Sequence, residues 1–512
     1  MTLAGLLDRA ALRRPDAEAV VDGDRRLTYA ALDARAAAVA RGLARLSVGR
    51  GDRVLIALKN RLEHVVVYWA LQKLGGVPTP VNFRMPAGEL RYVLEDSGAT
   101  LALFESATAP AVLEAAGGRR LPLVFVGADA PAGTIAFEAL EGGGGLGAAP
   151  PGEGDLSLIL YTSGTTGRPK GVPRTHKNHY AGALAHALQC GYTWGERTLG
   201  VMPLYHTMGI HSLTSMAAVN GCFVCQPDWS PAGALALIAR ERLTALYLIP
   251  TLFYELVHAG ELAQADVTSV RKLAYAGAPM LVPLTEACAK AFVPDAFVNH
   301  YGSTEIYTFS IFSDVRAKPG CAGRAGLHGK LRVVTASTER RVGPDEVVPA
   351  GTKGEIIASL DGDEAFAGYW NRPDADARAL RDGWYFTGDM GYVDADGDLW
   401  VAGRVDDMII SGGENIHPVE VEDVLARHPR VRDVAVIGEP DAKWGERVVA
   451  FVVPAAPDVS AHELDAHCRA SGDLARWKRP RRFVFVREIP KTASGKILRR
   501  LLRDGRYTEG PP

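Results

Sequence analysis

The stretch Tyr161 to Gly171, YTSGTTGRPKG, constrains this chain more than any other. It follows a short apolar run, Leu156 to Leu160, that reads as a buried strand. Its eleven residues include three Gly, three Thr, one Ser and one Lys. With so little side-chain bulk, its backbone N–H groups and hydroxyls can close on phosphate oxygens. Lys170 adds a point charge for the same anion. A lone Gly-rich run suits an exposed loop equally well. Several hydroxyls flanking two glycines directly after a strand weigh toward phosphate. The segment is not a Walker loop, because Lys170 is neither preceded by Gly nor followed by Ser or Thr.

A chain of 512 residues exceeds one ordinary core, so two or more domains are expected. Net charge is −2, which removes the electrostatic case for nucleic acid or an anionic membrane. No apolar run reaches membrane-spanning length, and MTLAGLLDRA lacks the basic-then-apolar order of a signal peptide. The cysteines follow no disulfide framework, which points to the reducing cytoplasm. Cys222 and Cys225, in GCFVCQ, form a single CxxC with apolar neighbours and read as strand packing rather than zinc ligation.

Helix and strand signals alternate through the first three hundred or so residues. Ala31 to Leu46, His64 to Leu74, His176 to Gln189 and Pro231 to Arg240 read as helices. Asp52 to Leu58, Thr100 to Phe104, Ala245 to Ile249, Lys272 to Tyr275 and Ala296 to His300 read as strands. Such alternation implies an α/β fold of parallel sheets layered with helices. From about Leu331 turns become dense, which suggests a mostly antiparallel β subdomain closing the first domain. After the polar break RVDD comes a compact α+β pattern with helices at Pro418 to Arg427 and after Ser460. A boundary at Asp406 divides residues 1–405 from a small domain, 406–512.

Polar clusters fall where this pattern places loops after strands, the usual ligand site of α/β proteins. They are the phosphate loop, PLYHTMG around His206, HYGSTE at His300 to Glu305, GWYFTGD ending at Asp389, SGGEN at Ser411 to Asn415, and PKTASGK ending at Lys496. Glu305 suits a hard cation such as Mg²⁺. A carboxylate on a Gly turn, as at Asp389, suits the paired hydroxyls of a ribose. Taken singly, each cluster fits a structural role at least as well.

In this order and at these separations, YTSGTTGRPKG, YGSTE, GWYFTGD, GRVDD and PKTASGK resemble the core motifs of the acyl-adenylate-forming superfamily. That superfamily includes acyl- and aryl-CoA ligases, the adenylation domains of peptide synthetases and firefly luciferase. The resemblance spans essentially the whole chain. PLYHTMG and RVDDMIISGGENIHPVEVE look most like the benzoate class, of which 4-chlorobenzoate:CoA ligase is an example.

The resemblance implies an ATP-dependent, Mg²⁺-requiring acid:CoA ligase that makes an acyl-adenylate and then a thioester. Its partner would be a small carboxylic acid, with the chain acting as a monomer or homodimer. Lys496 would bridge the acid and the α-phosphate, with His206 beside it. Thr162, Ser163, Gly164, Thr165, Thr166, Gly167 and Lys170 would hold the outer phosphates, and Glu305 the metal. Tyr301, Gly302, Ser303 and Thr304 would line the ATP/AMP site, with Tyr301 packed on the adenine, and Asp389 with Arg404 would take the ribose. The acid pocket would comprise Tyr180, His206, Thr207, Met208, Tyr247, Ala276, Gly277, His300, Gly302 and Tyr307. Asp406 would be the hinge of a mobile C-terminal domain, and Gly412 and Gly413 would form the pantetheine tunnel. Arg84, Trp444, Trp477 and Arg479 would hold the CoA nucleotide.

Amino-acid-activating relatives carry an Asp where this chain has Thr207, so an α-amino acid is not expected. Thr207, His300 and Tyr307 make the pocket more polar than that of the chlorobenzoate enzyme. This admits a benzoate with a polar substituent or another compact carboxylate. Loading of a carrier protein, a non-aromatic acid, and a non-catalytic nucleotide binder are the alternatives.

Overall fold

The computed structural model describes residues 1–142, 150–162, 168–337, 340–412, 414–472, 474–492 and 495–510. Six parallel strands form the centre of a fourteen-stranded sheet: Ala296–Tyr301, Lys272–Tyr275, Ala245–Leu248, Arg197–Gly200, Cys222–Cys225 and Glu18–Asp22. The sheet continues past Ala296–Tyr301 in antiparallel fashion. It runs through Ser310–Phe312, Cys321–Ala325, Leu399–Arg404, Trp384–Val393, Gly354–Ser359 and Leu331–Val334. The turn-rich region after Leu331 is therefore the far wing of the main sheet, not a sheet of its own.

A second, five-stranded parallel sheet is built from Val77–Pro80, Arg53–Ala57, Leu101–Glu105, Leu123–Val126 and Ile135–Ala136. The helix Leu62–Leu74 is buried at every position but Lys73, as expected of a helix apolar nearly all round. Its side chains share one core with the helices Leu3–Arg13 and Tyr29–Arg45. The cysteines Cys222 and Cys225 lie in a buried strand, and all six cysteines are buried and free among the described residues. Among the described residues no helix is long and apolar enough to cross a membrane.

The final hundred residues carry their own sheet. Val431–Asp441 and Gly445–Pro454 form a long hairpin, and Arg482–Phe485 lies parallel to the second strand. Two apolar clusters flank it. One runs from Ile409 through Val421, Val436 and Ala450 to Leu474, the other from Ala435 through Phe451 to Leu502. Both draw only on residues from Ile409 onward. Ser460 caps the helix Ala461–Ala470 by accepting from the Glu463 N–H, as its sequence pattern implies.

Candidate active site

A cleft of about 2390 Å³ opens between the main sheet and the small body. The phosphate segment enters it on a β-hairpin. Leu156–Thr162 pairs antiparallel with Lys170–Thr175, and Thr162 faces Lys170 across the register. Sequence patterning placed this loop between a strand and a following element without revealing that the chain doubles back. Ser163, Gly164, Thr165, Thr166 and Gly167, at the tip, lie outside the described residues, as does Gly413. Thr162 and Lys170 both line the cleft. Lys170 Nζ sits 4.0 Å from the centre of the Tyr369 ring, and burial lowers its pKa while the Glu305 carboxylate opposes the shift.

The segment after the strand Ala296–Tyr301 supplies Gly302, Ser303, Thr304 and Glu305 to the same cleft. It turns tightly, with Ser303 N–H donating to the Ile306 carbonyl at 3.0 Å and Phe309 N–H to the Tyr301 carbonyl at 2.9 Å. Glycine is required at 302, because a Cβ there would lie 1.8 Å from the Tyr307 carbonyl oxygen. Arg174, reaching from the phosphate hairpin, donates to the Thr304 and Glu305 carbonyls at 3.2 and 2.8 Å. Its guanidinium is buried, and burial pulls its pKa down to about 10. It thereby ties the phosphate hairpin to the Glu305 turn. Glu305 Oε1 accepts from the Tyr369 hydroxyl at 2.7 Å.

On the antiparallel wing, Asp389 and Arg404 face each other across neighbouring strands. Arg404 Nη1 donates to Asp389 Oδ1 at 2.8 Å, and the Tyr301 hydroxyl donates to Asp389 Oδ2 at 2.6 Å. Arg404 also holds the Thr387 carbonyl at 3.1 Å. The Asp389 carboxylate is thus fixed by a phenol from one strand and a guanidinium from another. The Tyr301 ring packs edge-on to Phe309 at 5.1 Å.

The deepest part of the cleft is aromatic. Tyr247, Ala276 and His300 come from adjacent parallel strands or the turn beyond, with Gly277, Tyr307, Thr207 and Met208 alongside. PLYHTMG is not all loop, since Thr207 opens the helix Thr207–Ala218 with His206 at its N-cap. His206 is partly buried, and desolvation together with the Lys496 ammonium holds its pKa at about 4, so it is neutral near pH 7. Lys496 and Asp406 both line the cleft. The lysine loop is docked on the large body: a methyl group added at Gly495 would sit 3.1 Å from the Ile249 side chain.

Tyr180 does not line this cleft among the described residues. Its hydroxyl accepts from Arg9 at 3.3 Å, so the residue faces the N-terminal helix. The inward face of His176–Gln189 instead carries His179, Gly182 and His186. A Cβ at Gly182 would come within 2.4 Å of His211 Nε2, and Tyr307 stacks on His211 with centroids 3.5 Å apart. His186 and His211 are thus neighbours of the acid pocket that motif reading misses; the three- and four-residue spacing of His179, Gly182 and His186 on one helix face is a signal for His186, whereas His211 lies on the helix Thr207–Ala218 and carries no such signal.

The expected CoA contacts lie apart from the cleft lining. Arg84 is exposed, its guanidinium 5.2 Å from the Phe83 ring centre. Trp444 and Trp477 are 43% and 51% exposed, so neither indole is core packing of the small body. Trp444 covers Gly412, whose φ of +62° favours glycine. Arg479, in contrast, is engaged internally, its Nη1 2.6 Å from Asp465 Oδ1.

Residues 7–370 match the family model described as AMP-binding enzyme, and residues 420–496 match the AMP-binding enzyme C-terminal domain. The chain is 35% identical over 506 residues to a 4-chlorobenzoate–CoA ligase of Arthrobacter sp., covering 97% of this chain and 93% of that one. It is 36% identical over 497 residues to a feruloyl-CoA synthase of Amycolatopsis sp., covering 96% of both. Among solved structures it resembles the anthranilate CoA ligase AuaEII in complex with anthranoyl-AMP, with a TM-score of 0.91 and 28% identity over 99% of this chain and 97% of that one. With both of its bodies matched and its length shared with these relatives, the chain belongs to the AMP-binding enzyme family.

Proposed function

We propose that the protein is an AMP-forming acid–thiol ligase that activates a compact aromatic carboxylic acid with ATP and transfers the acyl group to coenzyme A. The observation that carries this reading is the presence of Lys496 in one cleft with the Tyr301–Asp389–Arg404 cluster and the aromatic pocket.

In the first half-reaction a carboxylate oxygen bonds to the α-phosphorus, the bond to the bridging oxygen breaks, and pyrophosphate leaves. Both reactants are anions, so the barrier is largely electrostatic, and a preorganised cation lowers it. Lys496 supplies that cation. Neutral His206 lies close enough to feel its charge and orients the acid without competing for it. Asp389 accepts the ribose hydroxyls, and its two anchors spare it reorganisation. Thr162, the loop tip and Lys170 take the outer phosphates, with the ring of Tyr301 against the adenine.

A hard cation that retains waters and phosphate oxygens needs one or two carboxylates. Glu305 fits: it lines the cleft, and the Tyr369 hydroxyl orients it through one oxygen. Mg²⁺ held there would neutralise charge on the phosphates.

The second half-reaction exchanges AMP for thiol. Asp406 lies in the short turn Val405–Asp407, between the last strand of the main sheet and the first of the small body. Rotation there would withdraw Lys496 and bring Gly412 and Gly413 toward the acyl-adenylate. The half-exposed Trp444 and Trp477 supply stacking surfaces for the CoA adenine, with Arg84 for its phosphates. Arg479 is left out of this set because Asp465 occupies it. Six buried free cysteines accord with a reducing compartment.

AMP formation measured on a panel of aryl and short-chain acids, with and without CoA, tests the proposal. CoA-dependent AMP release with benzoate-class acids is the expected result, and silence across the panel would refute it. If a carrier protein is the acceptor, Trp477→Ala would leave thioester formation on free CoA as weak as in the wild type.

A further inference from the structure

On the floor of the aromatic pocket His186, Tyr307 and Tyr247 form a buried chain that holds one hydrogen-bond donor more than these three residues satisfy among themselves. Tyr307 Oη lies 2.8 Å from His186 Nδ1 and 3.3 Å from Tyr247 Oη. All three residues are buried, and stacking on His211 at 3.5 Å with 5° between ring planes fixes the Tyr307 ring. Burial, with His300 and His211 nearby, keeps His186 neutral, so its imidazole carries a single N–H.

Two proton arrangements satisfy the contact between Tyr307 and His186; Cys190 Sγ, 3.7 Å from the same Nδ1, adds a weak partner to that atom and none to Tyr247. With the proton on Nδ1, His186 donates to Tyr307, Tyr307 donates to Tyr247, and the Tyr247 proton has no acceptor among the described residues. With the proton on Nε2, Tyr247 donates to Tyr307 and Tyr307 donates to Nδ1. The stranded donor is then Nε2–H, a buried atom with no partner. A buried donor left unmet carries the full cost of its desolvation. Of the two stranded groups, only Tyr247 lines the cleft. A ligand can therefore complete the first arrangement and not the second.

The rest of the floor narrows the complement. His300 is neutral, its pKa pushed down to about 3 by burial; its Nε2 meets Thr308 Oγ1 at 3.0 Å, and since Thr308 Oγ1 donates to Glu364, the buried and unpartnered Nδ1 of His300 is an acceptor that a ring hydroxyl, but not a methyl, can also meet. A second carboxylate or an ammonium on the substrate would have no counter-charge here, and burying one is expensive. A plain alkyl or aryl end would leave the donor stranded. We infer that the substrate acid carries a neutral oxygen acceptor, such as a ring hydroxyl, at the end remote from its carboxylate, and that the Tyr247 hydroxyl is the donor that selects it. This rests on the reading of the cleft as an aryl-acid site.

The test compares hydroxybenzoates with methylbenzoates of the same ring position, which match in size and lack the acceptor. AMP release is followed with ATP, Mg²⁺ and CoA in the wild type and in Tyr247→Phe. The ratio of kcat/KM between the two acids, taken within one preparation, is insensitive to partial loss of folded enzyme. At the better of the meta and para positions the wild-type ratio should be about tenfold or more, and in Tyr247→Phe it should fall to within about threefold. A wild-type ratio near one, or a high ratio that Tyr247→Phe preserves, overturns the inference while leaving the aryl-acid reading intact. Failure of every benzoate to release AMP, with another class of acid active, would overturn both.

Discussion

Gly302→Ala perturbs the point where the adenine and acid sites meet. A Cβ at 302 would lie 1.8 Å from the Tyr307 carbonyl oxygen and 3.3 Å from that of Ile306. Ordinary non-bonded separation is about 3.5 Å, so the two segments must part by more than about 1 Å. The movement cannot stay local. Tyr301, one residue before, holds Asp389 at 2.6 Å, and Tyr307 is fixed by His186 at 2.8 Å and stacked on His211. A shift of about 1 Å in reacting groups costs on the order of 10² in rate, and overpacking a tight site costs about 1–3 kcal/mol. Acid-dependent ATP–pyrophosphate exchange should fall about 10²-fold in kcat/KM, with a lower thermal midpoint. Gly260→Ala is the control, since a methyl there meets nothing within 4 Å. If Gly302→Ala kept exchange within about threefold of wild type and the same midpoint, the argument from close approach would be wrong.

Two further predictions concern stability. Burial holds His64, His176, His206 and His417 near pKa 4 and His300 near 3, below the unfolded value of about 6.5. The unfolded chain therefore binds more protons in this window, and the thermal midpoint should drop as pH falls from about 6.5 toward 4. Glu364, raised to about 7, and Asp423, raised to about 6, act in the opposite sense, but they are fewer. A midpoint that rises on acidification would contradict the assignment. Arg499 bridges Glu422 at 2.6 Å and Asp407 at 3.4 Å inside the small body. Arg499→Met leaves Glu422 without a counter-charge, and Asp407 with Arg503 alone at 3.4 Å, and should cost about 3–5 kcal/mol, seen as early loss of the C-terminal core in hydrogen exchange, with part recovered by adding Glu422→Gln. No recovery in the double variant would show that the charge pair is not the cause.

Much of the fold was legible because periodicity and caps agree along the chain. The helix His176–Gln189 and the strand Lys272–Tyr275 fall where their patterns end. The helix Thr207–Ala218 was hidden by its polarity. His211, Ser212, Thr214 and Ser215 are all buried, and Ser212 and Thr214 return their hydroxyls to the Met208 and Ile210 carbonyls at 2.9 and 3.0 Å. That bonding removes the apolar stripe by which a helix is recognised. The phosphate hairpin was hidden because antiparallel pairing of Lys170–Thr175 with Leu156–Thr162 leaves no mark in either strand alone.

The site divides in the same way. Motifs carry residues whose chemistry needs a particular side chain, such as Asp389, Glu305 and Lys496. They do not carry the groups that hold those residues, such as Arg174 or Tyr369, which come from distant segments and act through backbone carbonyls or one phenol. Tyr180 shows the cost of reading by position alone. One helical step separates it from His179, and that step turns it away from the pocket.

The first half-reaction depends most on Lys496. Lys496→Ala, assayed for acyl-adenylate formation from ATP and acid and separately for thioester formation from preformed acyl-adenylate and CoA, addresses it directly. Adenylate formation should fall about 10²–10³-fold while the thiol step proceeds at a near-normal rate. Undiminished adenylate formation by the variant would contradict the claim that this lysine carries the first half-reaction.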